Sequence, residues 1–147
     1  MAEIQPGIYM VFSNIDHFQT SVSISSGEDM SLLPKKVSLI KPGDEGHKWE
    51  VRKIEGNLYR LSINNAVVAS KDDNVYAHPI KQHSVDELWK FFPDLRLCEG
   101  VYTVRNITDG KGWGIADDGQ VKLQPIPSPL AGLPYQLFKF VRISDDN

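Results

Sequence analysis

Three acidic pairs have the residue types and the spacing that could do chemistry. They are Glu28-Asp29, Asp72-Asp73 and Asp117-Asp118, with starts 44 and 45 residues apart. Paired carboxylates can gather calcium or the hydroxyls of a sugar. Asp is equally a turn former, because it accepts hydrogen bonds from its own backbone, and a following Asn or Gly tolerates positive φ. Asp72-Asp73-Asn74 and Asp117-Asp118-Gly119 have that composition. We therefore read the pairs as turns, and their recurrence as the mark of a repeated chain. The histidines are His17, His47, His78 and His83, read as solvated loop residues. His78-x4-His83 is not a zinc spacing, and no cysteine stands nearby. No Gly-x-Ser-x-Gly occurs, Ser84 beside His83 is a chance adjacency, and neither phosphate-cradling glycine pattern is present. The expectation is no catalytic residue, no metal, no cofactor and no enzyme.

The elements that would position these turns repeat as well. Gly100-Val101-Tyr102-Thr103-Val104-Arg105 alternates apolar and polar residues, the pattern of a half-buried strand. Strands at 113–116 and 121–123 follow it. Gly56 opens the same phrase over 58–63, 66–69 and 75–77. Gly7 opens it again over 7–12, 21–24 and a segment at 30–37. Pro34 lies in that last segment, so a short strand with a bulge or an edge is expected there. A fourth strand closes each copy around Trp49, Trp89 and Phe138, which are 40 and 49 residues apart, and the opening glycines are 49 and 44 apart. Such a period, about 45 residues, signals an internal repeat. Three copies of four strands predict an all-β chain of twelve strands: a β-trefoil, since three blades are too few for a propeller. One domain is expected over 1–147, with repeats at about 7–54, 55–95 and 99–143. Leu58, Leu61, Ile63, Tyr102, Val104 and the three closing aromatics are expected in the core. Trp113, near a turn, is assigned to packing in preference to sugar stacking.

Composition excludes several partners. The chain has 147 residues, of which 41% are hydrophobic and 24% charged, with a net charge of −3. No basic run supplies the phosphate contacts that nucleic acid demands. No apolar stretch approaches the length of a membrane helix. The single cysteine, Cys98, follows Leu95-Arg96-Leu97 and reads as a buried small hydrophobe. The first six residues show no secretory pattern, so a cytoplasmic location is expected.

Two resemblances follow from particular stretches. His47-Lys48-Trp49, Glu87-Leu88-Trp89 and Gln136-Leu137-Phe138 resemble worn copies of the Gln-x-Trp mark of ricin-B-type β-trefoil lectins. None keeps both marked residues, so sugar binding does not carry over. The closer resemblance is to the mushroom β-trefoil serine protease inhibitors, the cospin-like family. It rests on Gly7-Ile8-Tyr9, the run Glu28-Asp29-Met30-Ser31-Leu32-Leu33-Pro34-Lys35-Lys36-Val37, Trp49-Glu50-Val51, Gly112-Trp113 and Leu137-Phe138-Lys139-Phe140. It implies a disulfide-free trefoil that presents a loop to a protease. Trypsin-directed members of that family display Arg or Lys in an exposed loop, often just before the Glu-Asp run. This chain has Ser23-Ile24-Ser25-Ser26-Gly27 there, with no cation.

The expected function is inhibition of serine proteases through an exposed rigid loop; the alternative is a lectin that binds glycans at its turns. One candidate loop holds Ile24, Ser25, Ser26 and Gly27. The other is the connection 124–134, whose four prolines keep it extended. It offers Leu130 followed by Ala131 to an apolar pocket, so a chymotrypsin- or elastase-like partner is expected ahead of trypsin. Lys41 and Lys111 are lesser candidates for trypsin.

Overall fold

A computed structural model describes residues 4–24, 33–41, 46–79, 87–94, 100–126 and 133–144. Among them are thirteen strands: β1 (Gly7–Ser13), β2 (Thr20–Ser23), β3 (Lys35–Lys36), β4 (Ser38–Leu39), β5 (Trp49–Glu55), β6 (Leu58–Ile63), β7 (Ala66–Lys71), β8 (Asn74–His78), β9 (Trp89–Pro93), β10 (Val101–Asn106), β11 (Gly112–Ile115), β12 (Val121–Gln124) and β13 (Phe138–Ser144). The fold is all-β, with short 3-10 turns at Asn14–Asp16 and Pro134–Gln136. No helix among the described residues is long and apolar enough to cross a membrane.

The count exceeds the expected twelve because one segment changes partner halfway along. After Pro34, β3 pairs with β8, whereas β4 pairs with β2. Val37 lies between the two and belongs to neither ladder. Its N–H donates to Val75 O at 3.2 Å, and its carbonyl accepts from Val121 N–H at 2.8 Å.

Six strands close on themselves. β1 pairs with β5, β5 with β6, β6 with β9, β9 with β10, β10 with β13 and β13 with β1, all antiparallel. A closed ring leaves none of its strands with an unpaired backbone edge. The remaining strands form hairpins that meet one another over one end of the ring. Lys122 pairs with Asn74, Lys36 with Tyr76 and Ser38 with Gln120. Leu123 N–H reaches Asp73 O at 2.8 Å and Leu39 N–H reaches Gly119 O at 2.9 Å. Residues 4–5 lie against the barrel tyrosines: Tyr59 Oη donates to Ile4 O at 3.0 Å and Tyr9 Oη to Gln5 O.

Alternation along each ring strand sends every second side chain inward. On β6 these are Tyr59, Leu61 and Ile63, all buried. Leu58 is half-buried, contrary to expectation, because it has the opposite parity and lies on the outer face. Tyr102, Val104 and the closing aromatics are buried as expected. Trp113 is fully buried among them, with its ring 5.5 Å from those of Trp49, Trp89 and Phe138. Truncating a ring of this kind to alanine typically costs about 3–5 kcal/mol. Trp49 Nε1 donates to Val22 O at 2.8 Å and Trp89 Nε1 to Val68 O at 2.9 Å. The same hydrogen bond thus ties two ring strands to hairpin strands, β5 to β2 and β9 to β7.

Candidate functional site

The acidic turns behave as turns. Asp72 and Asp73 have φ of 53° and 63°, the left-handed pair of a type I′ hairpin between β7 and β8. Asp118 Oδ1 accepts Gln120 N–H at 3.0 Å between β11 and β12, and Gly119 supplies the positive φ of 85°. That hydrogen bond, outweighing slight burial and aided by Lys122, holds the Asp118 carboxyl below its ordinary value. Both turns therefore join a hairpin strand to the next, at matching places. Glu28-Asp29 lies outside the described residues. No group of three or more His, Cys, Asp or Glu that could hold a metal ion occurs among the described residues.

His78 departs from the solvated reading. It ends β8 with the parity of the half-buried Asn74 and Tyr76, its ring 6.0 Å from that of Tyr76, yet it is buried with no hydrogen-bond partner for Nε2. Burial holds its pKa below the ordinary value; the Ala69 backbone and Glu87 pull it back, and Lys71 adds to the depression. His17 is exposed and His47 half-buried, while His83 lies outside the described residues.

The first candidate loop begins at a core residue. Ile24 is 4% exposed and belongs to the hydrophobic cluster, so it anchors the loop and is not presented on it. The preceding Ser23, also buried, donates from Oγ to His47 O at 2.7 Å. Ser25, Ser26 and Gly27 lie outside the described residues. Lys41 is exposed after the buried Ile40. Lys111 has two carboxylates within reach: Asp73 Oδ2 at 3.1 Å and Asp109 Oδ2 at 3.8 Å. Those contacts hold it across to the β7–β8 turn, away from the extended reach that a deep acidic pocket requires.

The second candidate connection has a built base. Gln136, fully buried in the turn Pro134–Gln136, reaches both of its stems. Nε2 donates to Pro125 O at 2.9 Å, and Oε1 accepts Leu133 N–H at 3.0 Å. One amide side chain thus joins the end that leaves β12 to the end that enters β13. A second anchor lies beside it: a Cβ on Gly112 would collide with the Ile126 side chain, so the glycine makes room for that residue to pack. Leu130 and Ala131 lie outside the described residues. Beside the stems runs an open groove of about 730 Å³, lined by Ile15, Leu39, Ile115, Asp117, Gln124 and Tyr135. Sequence reasoning missed the role of Gln136, reading it only as part of a worn lectin mark. Its single signal was an uncharged, two-ended hydrogen-bonding side chain directly after a proline-rich connection.

Comparison with known proteins places this geometry. The family model described as peptidase inhibitor I66 matches residues 1–142. A serine protease inhibitor of Lentinula edodes is 30% identical over 114 residues, which is 78% of this chain and 76% of that protein. The solved structure of a proteinase inhibitor from Coprinopsis cinerea superposes with a TM-score of 0.84 at 29% identity, over 96% of this chain and all of the other. A designed threefold-symmetric protein, ThreeFoil, shares the fold alone: TM-score 0.70 at 15% identity, over 93% of this chain and 99% of the other.

Proposed function

Since the chain belongs to the peptidase inhibitor I66 family, we propose that it inhibits serine proteases, and does so by presenting the proline-rich connection 124–134 as a preformed loop. The fold that carries the loop is read as a β-trefoil of three four-stranded repeats at about 7–54, 55–95 and 99–143. The closed ring, the matching acidic turns and the likeness to a designed threefold protein support that reading. Counted this way, β3 and β4 are one strand interrupted at Val37, which returns the expected twelve.

The observation that carries the functional reading is the Gln136 brace. A loop that must be ordered on binding loses affinity to that ordering, about 0.5–1.5 kcal/mol for each immobilised side chain. A buried amide joining both stems removes part of that cost beforehand. Leu130 then serves as the side chain for an apolar specificity pocket, with Ala131 after it. The partner is a chymotrypsin- or elastase-like enzyme in preference to trypsin, because both candidate cations on the described surface are poorly placed: Lys111 is tied to carboxylates and Lys41 follows directly on a core residue. The chain acts as a ligand of an enzyme and performs no catalysis itself.

The test is Leu130→Asp assayed against chymotrypsin and elastase. An unpaired charge in an apolar pocket costs several kcal/mol, so inhibition should weaken by roughly a hundredfold or more. Gln136→Leu keeps Leu130 but leaves Pro125 O and Leu133 N–H without their partner, and should weaken inhibition while the loop sequence is intact. Inhibition unchanged in Leu130→Asp removes that residue from the contact.

A further inference from the structure

The two described acidic turns each spend one carboxylate and leave the other over. Asp73 is held by Lys111, and Asp118 accepts the Gln120 N–H and faces Lys122. The first carboxylates, those of Asp72 and Asp117, have no hydrogen bond or ion pair among the described residues. A type I′ turn uses the backbone of Asp72 and makes no demand on its side chain. Each unspent carboxylate borders a recess. Asp72 shares one of about 290 Å³ with Pro34, Lys71, Asn74 and Tyr76. Asp117 borders the groove of about 730 Å³, in which Gln124 and Tyr135 supply the other polar side chains. Both recesses therefore combine one carboxylate, one carboxamide and one tyrosine.

The matching turns account for the carboxylate alone. Tyr76 lies within β8, but Tyr135 lies in the turn Pro134–Gln136; Asn74 opens β8, but Gln124 ends β12. The ring and the amide are thus supplied twice from unmatched places. Asn74 Nδ2 donates to Asp72 O at 3.0 Å, which fixes that amide and leaves its oxygen to accept. The Gln124 amide lies against Gly114, where a Cβ would stand 2.8 Å from its carbonyl carbon, so the glycine makes room for it. Neither the Gln124 amide nor either tyrosine hydroxyl has a hydrogen-bond partner among the described residues. A carboxylate accepts from neighbouring hydroxyls, and a carboxamide both donates and accepts. A tyrosine ring offers an apolar face to the C–H side of a pyranose. In the larger recess the carboxylate is the one charged group, which favours a neutral sugar over a sialylated or sulfated one. In the smaller, Lys71 adds a donor. We propose that both recesses bind neutral saccharides, so that the chain is bivalent for glycans apart from any action on proteases. None of these residues belongs to 47–49, 87–89 or 136–138, the stretches that resemble the lectin mark.

An array of immobilised neutral, sialylated and sulfated glycans, exposed to the protein alone, tests this. Neutral glycans should be retained, and their charged counterparts should be retained less. Asp72→Asn and Asp117→Asn put in a residue that suits a turn equally well. Because two linked sites hold an array more strongly than one, each variant should lower retention at least about tenfold. The double variant should abolish it, with the circular dichroism spectrum unaltered. Asp73→Asn should change nothing, since that carboxylate is spent on Lys111. An array that retains no neutral glycan overturns the inference. So does a preference for charged glycans, retention that the double variant leaves intact, or a loss in Asp73→Asn equal to that in Asp72→Asn. Leu130→Asp should bind glycans as the wild type does, so this inference and the functional one stand or fall separately.

Discussion

Burial of an imidazole with one ring nitrogen unmet makes the stability of this protein depend on pH. His78 is held below its ordinary value of 6.5, first because burial penalises imidazolium. The unfolded chain therefore takes up a proton at a higher pH than the folded one does. The His78 contribution to stability is complete above the unfolded value and is lost as pH falls through it towards the lower folded value. Urea midpoints measured between about pH 8 and about pH 5 should fall on acidification across that window, and His78→Gln should flatten the fall. An equally steep decline in the variant would assign the acid sensitivity to other groups. Gln136 is the opposite case: its amide is equally buried, but both its ends are met, and it braces a loop.

Between strands, backbone conformation explains side-chain identity better than any ligand does. Asp72 and Asp73 both lie in the left-handed region, as do Asn64 and Asn65 in the β6–β7 turn. Type I′ turns need two such residues, and Asn, Asp and Gly are the residues that adopt them at least cost. The Asp73 carboxylate makes one exposed ion pair, with Lys111, of a kind worth about 0–1 kcal/mol. Asp73→Gly relieves the left-handed strain and gives up that pair, so stability should change by no more than about 1 kcal/mol. Millimolar calcium should leave the melting temperature of the wild type unchanged. A calcium-dependent rise that Asp73→Gly abolishes would restore the ligand reading of the acidic pairs.

Across the whole molecule, ring closure and the meeting of the hairpins predict a single cooperative unit. β1 pairs with both β5 and β13, and Val37 bonds to β8 and β12 at once, so the first, second and last quarters of the chain share hydrogen bonds. No quarter of the three keeps its partners if another unfolds. Trp49, Trp89 and Trp113 are each fully buried, which makes tryptophan fluorescence a report on the core. Fluorescence and circular dichroism should therefore trace coincident urea transitions. Two separated transitions would mean that parts of the chain unfold independently despite their shared ladders.

Strand periodicity, turn composition and the repeat of about 45 residues were enough to place nearly every strand and the three closing aromatics, because these are local properties of alternating chains. Strand alternation also carried the burial of Tyr102, Val104 and Leu61, and the family resemblance rested on runs readable in one dimension. The tertiary structure decided what depends on neighbours distant in sequence. It split the segment after Pro34 at Val37, because β8 and β2 claim its two halves. It buried Ile24, which stands among serines in the chain, within the hydrophobic cluster, and it buried His78 at the end of β8. It tied Lys111 to Asp73, 38 residues away, and Gln136 to Pro125. A side chain's own neighbours set its conformation. Only the closing of the ring sets which distant carbonyl, carboxylate or apolar face it meets.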